Sequence, residues 1–173
     1  MVLALILNAI DPKIGGVLLR GPQGTGKSTA IRSFENILPP KQIRQGCAFH
    51  CDPFDKRSEC DFCKTHPHNP ILSVAQTINT LPLGATIDRI VGTVDLEDLI
   101  HRGQKHLQPG ILASCHRGFL YIDEINLLPD HIIDLLLDVA SSGVNIIERE
   151  GLSLTHPSEF CLLGSMNPEE GDL

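Results

Sequence analysis

Residues 21–28 of the chain, GPQGTGKS, fit the pattern G-x-x-x-x-G-K-[ST]. The octapeptide directly follows a short apolar run at 17–20, which predicts a buried strand, and precedes residues 29–34, which predict a helix. A strand that turns sharply into a helix aims several backbone N–H groups and the positive end of the helix dipole at one point, where a phosphate chain can bind. The sequence therefore predicts an α/β fold with a phosphate-binding loop.

Each type of residue in this loop has a physical role in holding a nucleotide. The glycines let the backbone approach the phosphates, Lys27 places an ammonium near the outer ones, and the Ser28 hydroxyl can occupy one position of an octahedral Mg²⁺ shell. The predicted ligands are therefore ATP and Mg²⁺. The residues predicted to bind them are Gly21, Pro22, Gln23, Gly24, Thr25, Gly26, Lys27, Ser28 and Thr29.

Composition limits the classes of protein to which the chain can belong. Its 173 residues are one domain's length, and 42% hydrophobic content supports a single core. A formal charge of −7 argues against a broad nucleic-acid surface, although a local basic loop stays open. The apolar run at 2–10 is too short to span a bilayer and has no basic flank before it, so we expect a cytoplasmic protein without a membrane anchor.

The hydrophobic pattern predicts an alternation of strands and helices. Core strands are predicted at 17–20, within 71–83, at 119–122 and at 160–163, and a hairpin joins 144–147 to 152–154. Helices are predicted at 3–10, from 29 to about 38, from 95 to 103, at 110–115 and from 129 to 143. The glycine-punctuated segment 83–93 predicts a hairpin or a long loop.

A second group of polar residues follows the later core strands. Asp123 and Glu124 end the apolar run 119–122, where Asp123 can hold Mg²⁺ through water and Glu124 can polarise a water for in-line attack on a γ-phosphate. Any strand that emerges into solvent can end in acidic residues, so this pattern gains its weight from the phosphate loop upstream. Asn167, just after the last strand, adds an amide able to orient the attacking water.

Four runs of the sequence together resemble the AAA+ ATPase subunit of magnesium chelatase. They are LPLGATIDRIVGT at 81–93, GFLYIDEINLL at 118–128, EREG at 148–151 and GSMNPEEG at 164–171. The resemblance covers nearly the whole chain apart from a cysteine-rich segment. It implies a three-layer P-loop NTPase core with a parallel sheet and β-hairpin insertions, formed by 83–93 and 144–154.

The resemblance also implies roles and partners. Lys27 and Ser28 would belong to the Walker A motif, Asp123 and Glu124 to Walker B, and Asn167 would be the polar sensor. The family's subunit forms a homo-oligomeric ring that works with a second AAA+ subunit and a porphyrin-binding subunit to insert Mg²⁺ into protoporphyrin IX, which opens chlorophyll synthesis. The cobalt-inserting enzyme of cobalamin synthesis uses a similar motor.

Compared with that family, residues 1–173 predict an incomplete ATPase core without the helical lid. The arginine finger and the second sensor would follow Leu173, and the first helix would lack the segment that usually contacts adenine. A missing fifth strand would flank the strand at 17–20. We therefore expect a piece of a longer protein whose isolated form binds nucleotide but hydrolyses it slowly.

The cysteine-rich segment, at about 45–70, departs from the best-known members of the family. Cys47, Cys51, Cys60 and Cys63 are spaced as C-x3-C-x8-C-x2-C, which suits a tetrahedral Zn²⁺ site or an iron–sulfur cluster, while unliganded thiols remain an alternative. Three histidines are spare candidate ligands: His50, His66 and His68. The two other cysteines, Cys115 and Cys161, have apolar neighbours and are predicted to be buried.

Two other functions stay open at this point. A related AAA+ motor acting on DNA or protein would share similar insertions, and the runs at 82–93 and 167–171 favour the chelatase over it. A nucleotide- or metal-binding module without turnover would need no arginine finger, whose contribution to the rate is about 10³ to 10⁵.

Overall fold

The computed structural model describes residues 1–56, 59–95, 106–149 and 151–170. Most of the predicted helix at 95–103 lies outside these residues. The strands are β1 Val17–Arg20, β2 Lys41–Arg44, β3 Ile71–Val74, β4 Ile78–Leu81, β5 Gly92–Asp95, β6 His106–Pro109, β7 Gly118–Ile122, β8 Val144–Arg149, β9 Leu152–Pro157 and β10 Phe160–Met166. The helices are α1 Val2–Ile10, α2 Lys27–Glu35, α3 Asp61–Thr65, α4 Ile87–Val91, α5 Ile111–Cys115 and α6 Asp130–Ser142.

A four-stranded sheet with the order β1-β10-β7-β4 forms the centre of the fold. All its pairings are parallel, which confirms the predicted α/β core. The carboxyl ends of parallel strands meet at one edge of a sheet. The residues that directly follow β1, β7 and β10 are Gly21, Asp123 and Asn167, so the predicted site residues come to the same edge.

Helices cover both faces of the sheet, as predicted for a three-layer core. Successive residues of β7 point to opposite faces: Phe119 and Tyr121 join the apolar cluster that contains residues of α1 and α2, whereas Leu120 and Ile122 join the cluster formed by α4, α5 and α6. Burial on both faces explains why this strand is a continuous apolar run. Among the described helices, none combines the length and the apolar character required to cross a bilayer.

The predicted hairpin after α6 is confirmed and longer than expected, because β8 and β9 pair in antiparallel register from Val144↔Pro157 to Arg149↔Leu152. The helix before it ends where predicted, with Gly143 in the left-handed conformation at φ 71°.

The prediction of a hairpin or long loop at 83–93 is wrong for its second half. Residues 87–91 form α4, and Gly92, at φ 97°, ends that helix and begins β5, which pairs with β6. A five-residue helix has too little length to display a helical period, which is why the sequence pattern missed it.

The region around the cysteines contains more regular structure than predicted. The predicted strand within 71–83 is two strands: β4 belongs to the central sheet, and β3 pairs antiparallel with β2, which was not predicted. Residues 45–70, hereafter the cysteine loop, connect β2 to β3 and include α3 where only irregular loop was expected.

Candidate nucleotide-binding site

The phosphate loop joins β1 to α2 through two glycines in the left-handed conformation. Gly24 has φ 79° and Gly26 has φ 78°, and a Cβ at either position would meet open space. Glycine is therefore required here for its backbone conformation and not for lack of room. The helix begins at Lys27, earlier than the predicted Thr29, and ends at Glu35, before the predicted residue 38, so its first N–H groups belong to the loop.

The Lys27 side chain folds over this loop. Its ammonium donates hydrogen bonds to the carbonyl oxygens of Gly21 at 2.7 Å and Pro22 at 2.9 Å. The Thr25 hydroxyl also donates to the Pro22 carbonyl, at 2.9 Å. The positive charge is thus held by uncharged carbonyl groups, which leaves it available to pair with an anionic ligand.

Asp123 is the centre of a hydroxyl network opposite the loop. The Ser28 hydroxyl lies 3.3 Å from both carboxylate oxygens, and the Tyr121 hydroxyl lies 2.7 Å from Oδ1 and 3.0 Å from the Ser28 hydroxyl. The Ser165 hydroxyl is in hydrogen-bond contact with Asp123 Oδ1 as well. The structure therefore brings Ser28 and Asp123 together, although they are far apart in sequence.

This network determines the charge at the site. Burial acts to raise the pKa of Asp123, but hydrogen bonds from Ser165, Tyr121 and Ser28 outweigh it and hold the pKa below its ordinary value. Burial raises the pKa of Tyr121, so its phenol stays protonated and can donate. An ionised carboxylate beside an aliphatic hydroxyl is a set of hard oxygen donors, which fits Mg²⁺.

The other two predicted catalytic residues lie beside this network. Glu124 is half-buried, has a left-handed backbone at φ 54°, and its N–H donates to the Ser165 hydroxyl at 3.2 Å. Asn167 is buried, and its Oδ1 accepts a hydrogen bond from the Glu169 N–H at 3.2 Å. Both residues reach the same cavity as the loop.

That cavity has a volume of about 290 Å³. Its lining includes the predicted residues 23–29 of the loop together with both acidic residues and the amide. Gly21 and Pro22 do not line it and act through their carbonyl contacts to Lys27. The complete lining is Gln23, Gly24, Thr25, Gly26, Lys27, Ser28, Thr29, Asp123, Glu124, Ser165, Met166 and Asn167.

Sequence reasoning gave no role to Tyr121 or Ser165. Both belong to central strands next to each other in the sheet, and Ser165 pairs in register with Leu19, the penultimate residue of β1. Polar side chains in the last residues of parallel core strands were the available signal, because those residues meet at the ligand edge.

The four cysteines of the cysteine loop form a separate buried cluster. The Sγ atoms of Cys47, Cys51, Cys60 and Cys63 all lie within 4.8 Å of one another. None of the three spare histidines belongs to this group within the described parts of the chain. His66 uses its Nδ1 with Thr65 and the Phe62 carbonyl, and its ring stacks on Phe62.

The remaining cysteines are buried as predicted. Cys115 and Cys161 are 0% and 1% exposed, and burial raises the pKa of each thiol to about 12. Neither thiol lines the nucleotide cavity. A buried, protonated thiol is a poor nucleophile and a poor metal ligand, so both residues are part of the packing.

Comparison with known proteins finds similar proteins in one family. The family profile described as magnesium chelatase, subunit ChlI, matches residues 89–172. A magnesium-chelatase subunit ChlI homolog of Methanocaldococcus jannaschii is 56% identical over 98% of this chain and 47% of its own length. The magnesium-chelatase 38 kDa subunit of Acidiphilium rubrum is 52% identical over 100% of this chain and 51% of its own.

A solved structure shares the fold as well. It describes the complex between subunits BchI and BchD of magnesium chelatase, and a chain in it matches with a TM-score of 0.83 and 49% identity, over 99% of this chain and 52% of that one. The chain thus spans about half the length of the curated relatives that it matches.

Proposed function

We propose that the chain is a member of the magnesium-chelatase ChlI family and forms the ATP-binding and hydrolysing core of an AAA+ motor subunit that drives metal insertion into a tetrapyrrole. The observation that carries this proposal is the meeting of Ser28 and Asp123, 3.3 Å apart, at the mouth of a glycine-rich loop. This pair unites the two halves of a nucleotide site that the sequence separates by roughly a hundred residues.

In this proposal, different residues bind the phosphates and the Mg²⁺ ion. The loop amides and the N-terminus of α2 hold the phosphates, and the ammonium of Lys27 exchanges its carbonyl partners for phosphate oxygens. Ser28 and Asp123 would hold Mg²⁺, with the low pKa of Asp123 keeping its carboxylate ionised. Bound there, Mg²⁺ would neutralise negative charge on the phosphate oxygens.

Hydrolysis then requires a base and an orienting group. We assign the base to Glu124, whose half-buried carboxylate lines the cavity beside Asp123 and can accept a proton from water. As the water oxygen bonds to the γ-phosphorus, the bond from phosphorus to the bridging oxygen of ADP breaks. Asn167 lines the same cavity and, in this proposal, orients the water through its amide.

Assembly and location are also part of the proposal. The solved relative is a complex of BchI with BchD, which supports assembly of this chain with a second subunit. The homo-oligomeric ring and the porphyrin-binding subunit rest on the family resemblance. A neighbouring subunit would supply the arginine that stabilises transition-state charge. The cytoplasm stays a prediction, since relatives include a chloroplastic protein of Chlamydomonas reinhardtii.

Nucleotide binding is the first test of this proposal. Lys27→Ala removes the cation that folds over the loop, and we expect it to weaken the binding of a fluorescent ADP analogue by at least about tenfold. Lys13→Ala, at an exposed lysine outside the cavity, is the matched control and should bind as the parent does. Equal affinity of the parent and Lys27→Ala would refute the site.

Turnover is the second test, made with the parent assembled with its partner subunits. Glu124→Gln keeps the shape of the side chain but cannot accept a proton, so it should bind ATP normally and release phosphate at least about a hundredfold more slowly. Glu35→Gln, another half-buried glutamate, serves as control. A parent that binds nucleotide without Glu124-dependent turnover would instead be a binding module.

A further inference from the structure

The cysteine loop has a metal-ligand geometry that the ATPase function does not use. We propose that Cys47, Cys51, Cys60 and Cys63 bind one Zn²⁺ ion, and that this ion holds the cysteine loop against the β8–β9 hairpin. The site lies outside the nucleotide cavity and stands independently of the proposed ATPase activity.

The distances between the sulfur atoms fit a single tetrahedral ion. With a Zn–S bond of about 2.3 Å, two thiolates in a tetrahedron lie roughly 3.8 Å apart. The Sγ atoms of Cys47 and Cys60 are 3.7 Å apart, and all four lie within 4.8 Å of one another. A cluster of two or four irons divides its cysteines among different iron atoms and therefore spreads the sulfurs more widely. The spacing favours one ion.

The local fold brings the four ligands together from two turns. The first turn follows β2, where the N–H of Cys47 donates to the Arg44 carbonyl at 3.0 Å. In the second, Cys60 caps α3, which contains Cys63, so a three-residue separation places both sulfurs on one side of a helical turn. Gly46, at φ 85°, lets the two turns pack closely, because a Cβ at this position would lie 2.9 Å from the Phe62 ring.

The surroundings of the sulfurs are buried and apolar. Two aromatic side chains, Phe49 and Phe62, pack against the cluster and shield it from water. All four cysteines are at most 6% exposed.

Two arginines close the loop around the cluster. Arg44 contacts the carbonyls of Pro67 and Pro53 and lies 3.6 Å from a carboxylate oxygen of Glu59. Arg117 joins the loop to the core, since it binds the Asp52 carboxylate at 2.8 Å and donates to the carbonyls of Gln42 and His50.

The loop contacts the hairpin directly. The Phe49 ring stacks on His156 of β9 with 4.7 Å between centroids and 23° between planes. Phe49 lies between Cys47 and Cys51 in the sequence, so an ion bound by these two residues fixes the position of that ring. Metal loss should therefore loosen the contact between loop and hairpin.

Metal analysis of the parent chain, purified under reducing conditions without chelators, tests the assignment. We expect about one Zn²⁺ per chain, and after exchange with Co²⁺ the absorption spectrum of a tetrahedral tetrathiolate site. Cys63→Ser should retain less than about a tenth of the parent's zinc. Cys161→Ser is the control: it removes a buried thiol outside the cluster, its hydroxyl can keep the bond to Asn8, and it should retain full zinc.

The parent's stoichiometry and cobalt spectrum decide the outcome even if a variant fails to fold. Four titratable thiols with no zinc after exposure to Zn²⁺, or bound iron in place of zinc, would each overturn the proposal.

Limited proteolysis tests whether the ion holds the cysteine loop in place. Zinc removal should increase protease cleavage within residues 45–70 by at least about fivefold while nucleotide affinity changes by less than about twofold. Unchanged cleavage would overturn the proposal that the ion holds the cysteine loop against the β8–β9 hairpin. Loss of nucleotide binding in the zinc-loaded parent would count against the proposed ATPase site alone.

Discussion

Asn145 of β8 makes buried side-chain contacts whose loss should destabilise the fold. Its side chain is 1% exposed, and its Nδ2 donates to the Val91 carbonyl at 2.8 Å and to Nε2 of His156 at 2.9 Å. The His156 ring donates from Nδ1 to the Pro157 carbonyl at 3.0 Å, which leaves Nε2 as the acceptor. One amide therefore joins the hairpin to the end of α4.

The substitution Asn145→Ala would leave two buried acceptors without a partner. Each unsatisfied group costs about 1–3 kcal/mol, so we expect the free energy of unfolding to fall by about 2–4 kcal/mol after partial relaxation. A switch of the His156 tautomer cannot restore both bonds, because it gives up the bond to Pro157. For a domain of this size the melting temperature should fall by roughly 5–15 °C.

Urea and thermal unfolding measure this effect. Asn69→Ala is the matched control, because its side-chain amide donates to the Gln45 carbonyl at 3.1 Å in an exposed setting, and its loss should cost less than about 1 kcal/mol. The affinity of Asn145→Ala for nucleotide should stay within about twofold of the parent. A stability within about 0.5 kcal/mol of the parent would refute the argument that these acceptors stay unsatisfied.

Two further changes probe the polar groups of the core. Ser165→Ala removes a donor that lowers the pKa of Asp123, so ATP hydrolysis by the assembled subunit should require several-fold more Mg²⁺, measured by Mg²⁺ titration; an unchanged requirement would contradict the role. Burial lowers the pKa of His116 from 6.5 to about 4, so stability should be intact above pH 6.5 and fall by about 3 kcal/mol as the pH drops toward 4. His116→Asn should flatten that part of the curve in urea unfolding; the same slope as in the parent would assign the acid sensitivity to other groups.

The sequence could predict which residues meet at the candidate site because these residues follow strand ends. Gly21, Asp123 and Asn167 each come directly after a strand of the central sheet, and parallel pairing brings such positions to one edge whatever the intervening sequence does. Each prediction needed only a local pattern and the parallel sheet. The prediction that the strand at 17–20 is buried is wrong for Leu18 and Arg20, which are exposed. Ser165 was not predicted as a site residue because it lies inside β10, where a polar residue gives no turn signal.

The elements around the core were harder to predict because short strands and helices depend on partners. The run KQIR of β2 has no apolar alternation, and it becomes a strand because β3 pairs with it across the cysteine loop. Helix α4 is only five residues long and ends at Gly92. Local propensity is too weak to specify such elements, whereas tertiary pairing decides them.

Tertiary contacts, and not local sequence patterns, also hold the peripheral elements together. The cysteine loop, α4 and the β8–β9 hairpin lie far apart in sequence, and they meet through Phe49, His156, Asn145 and the Val91 carbonyl. Each of these is an ordinary residue in its own segment, so no local pattern marks it. Buried polar contacts of this kind are strong only when every partner is present. We therefore expect changes at Asn145 to act on the hairpin and zinc removal to act on the cysteine loop, with His156 stacked on Phe49 as the contact through which either change reaches the other element.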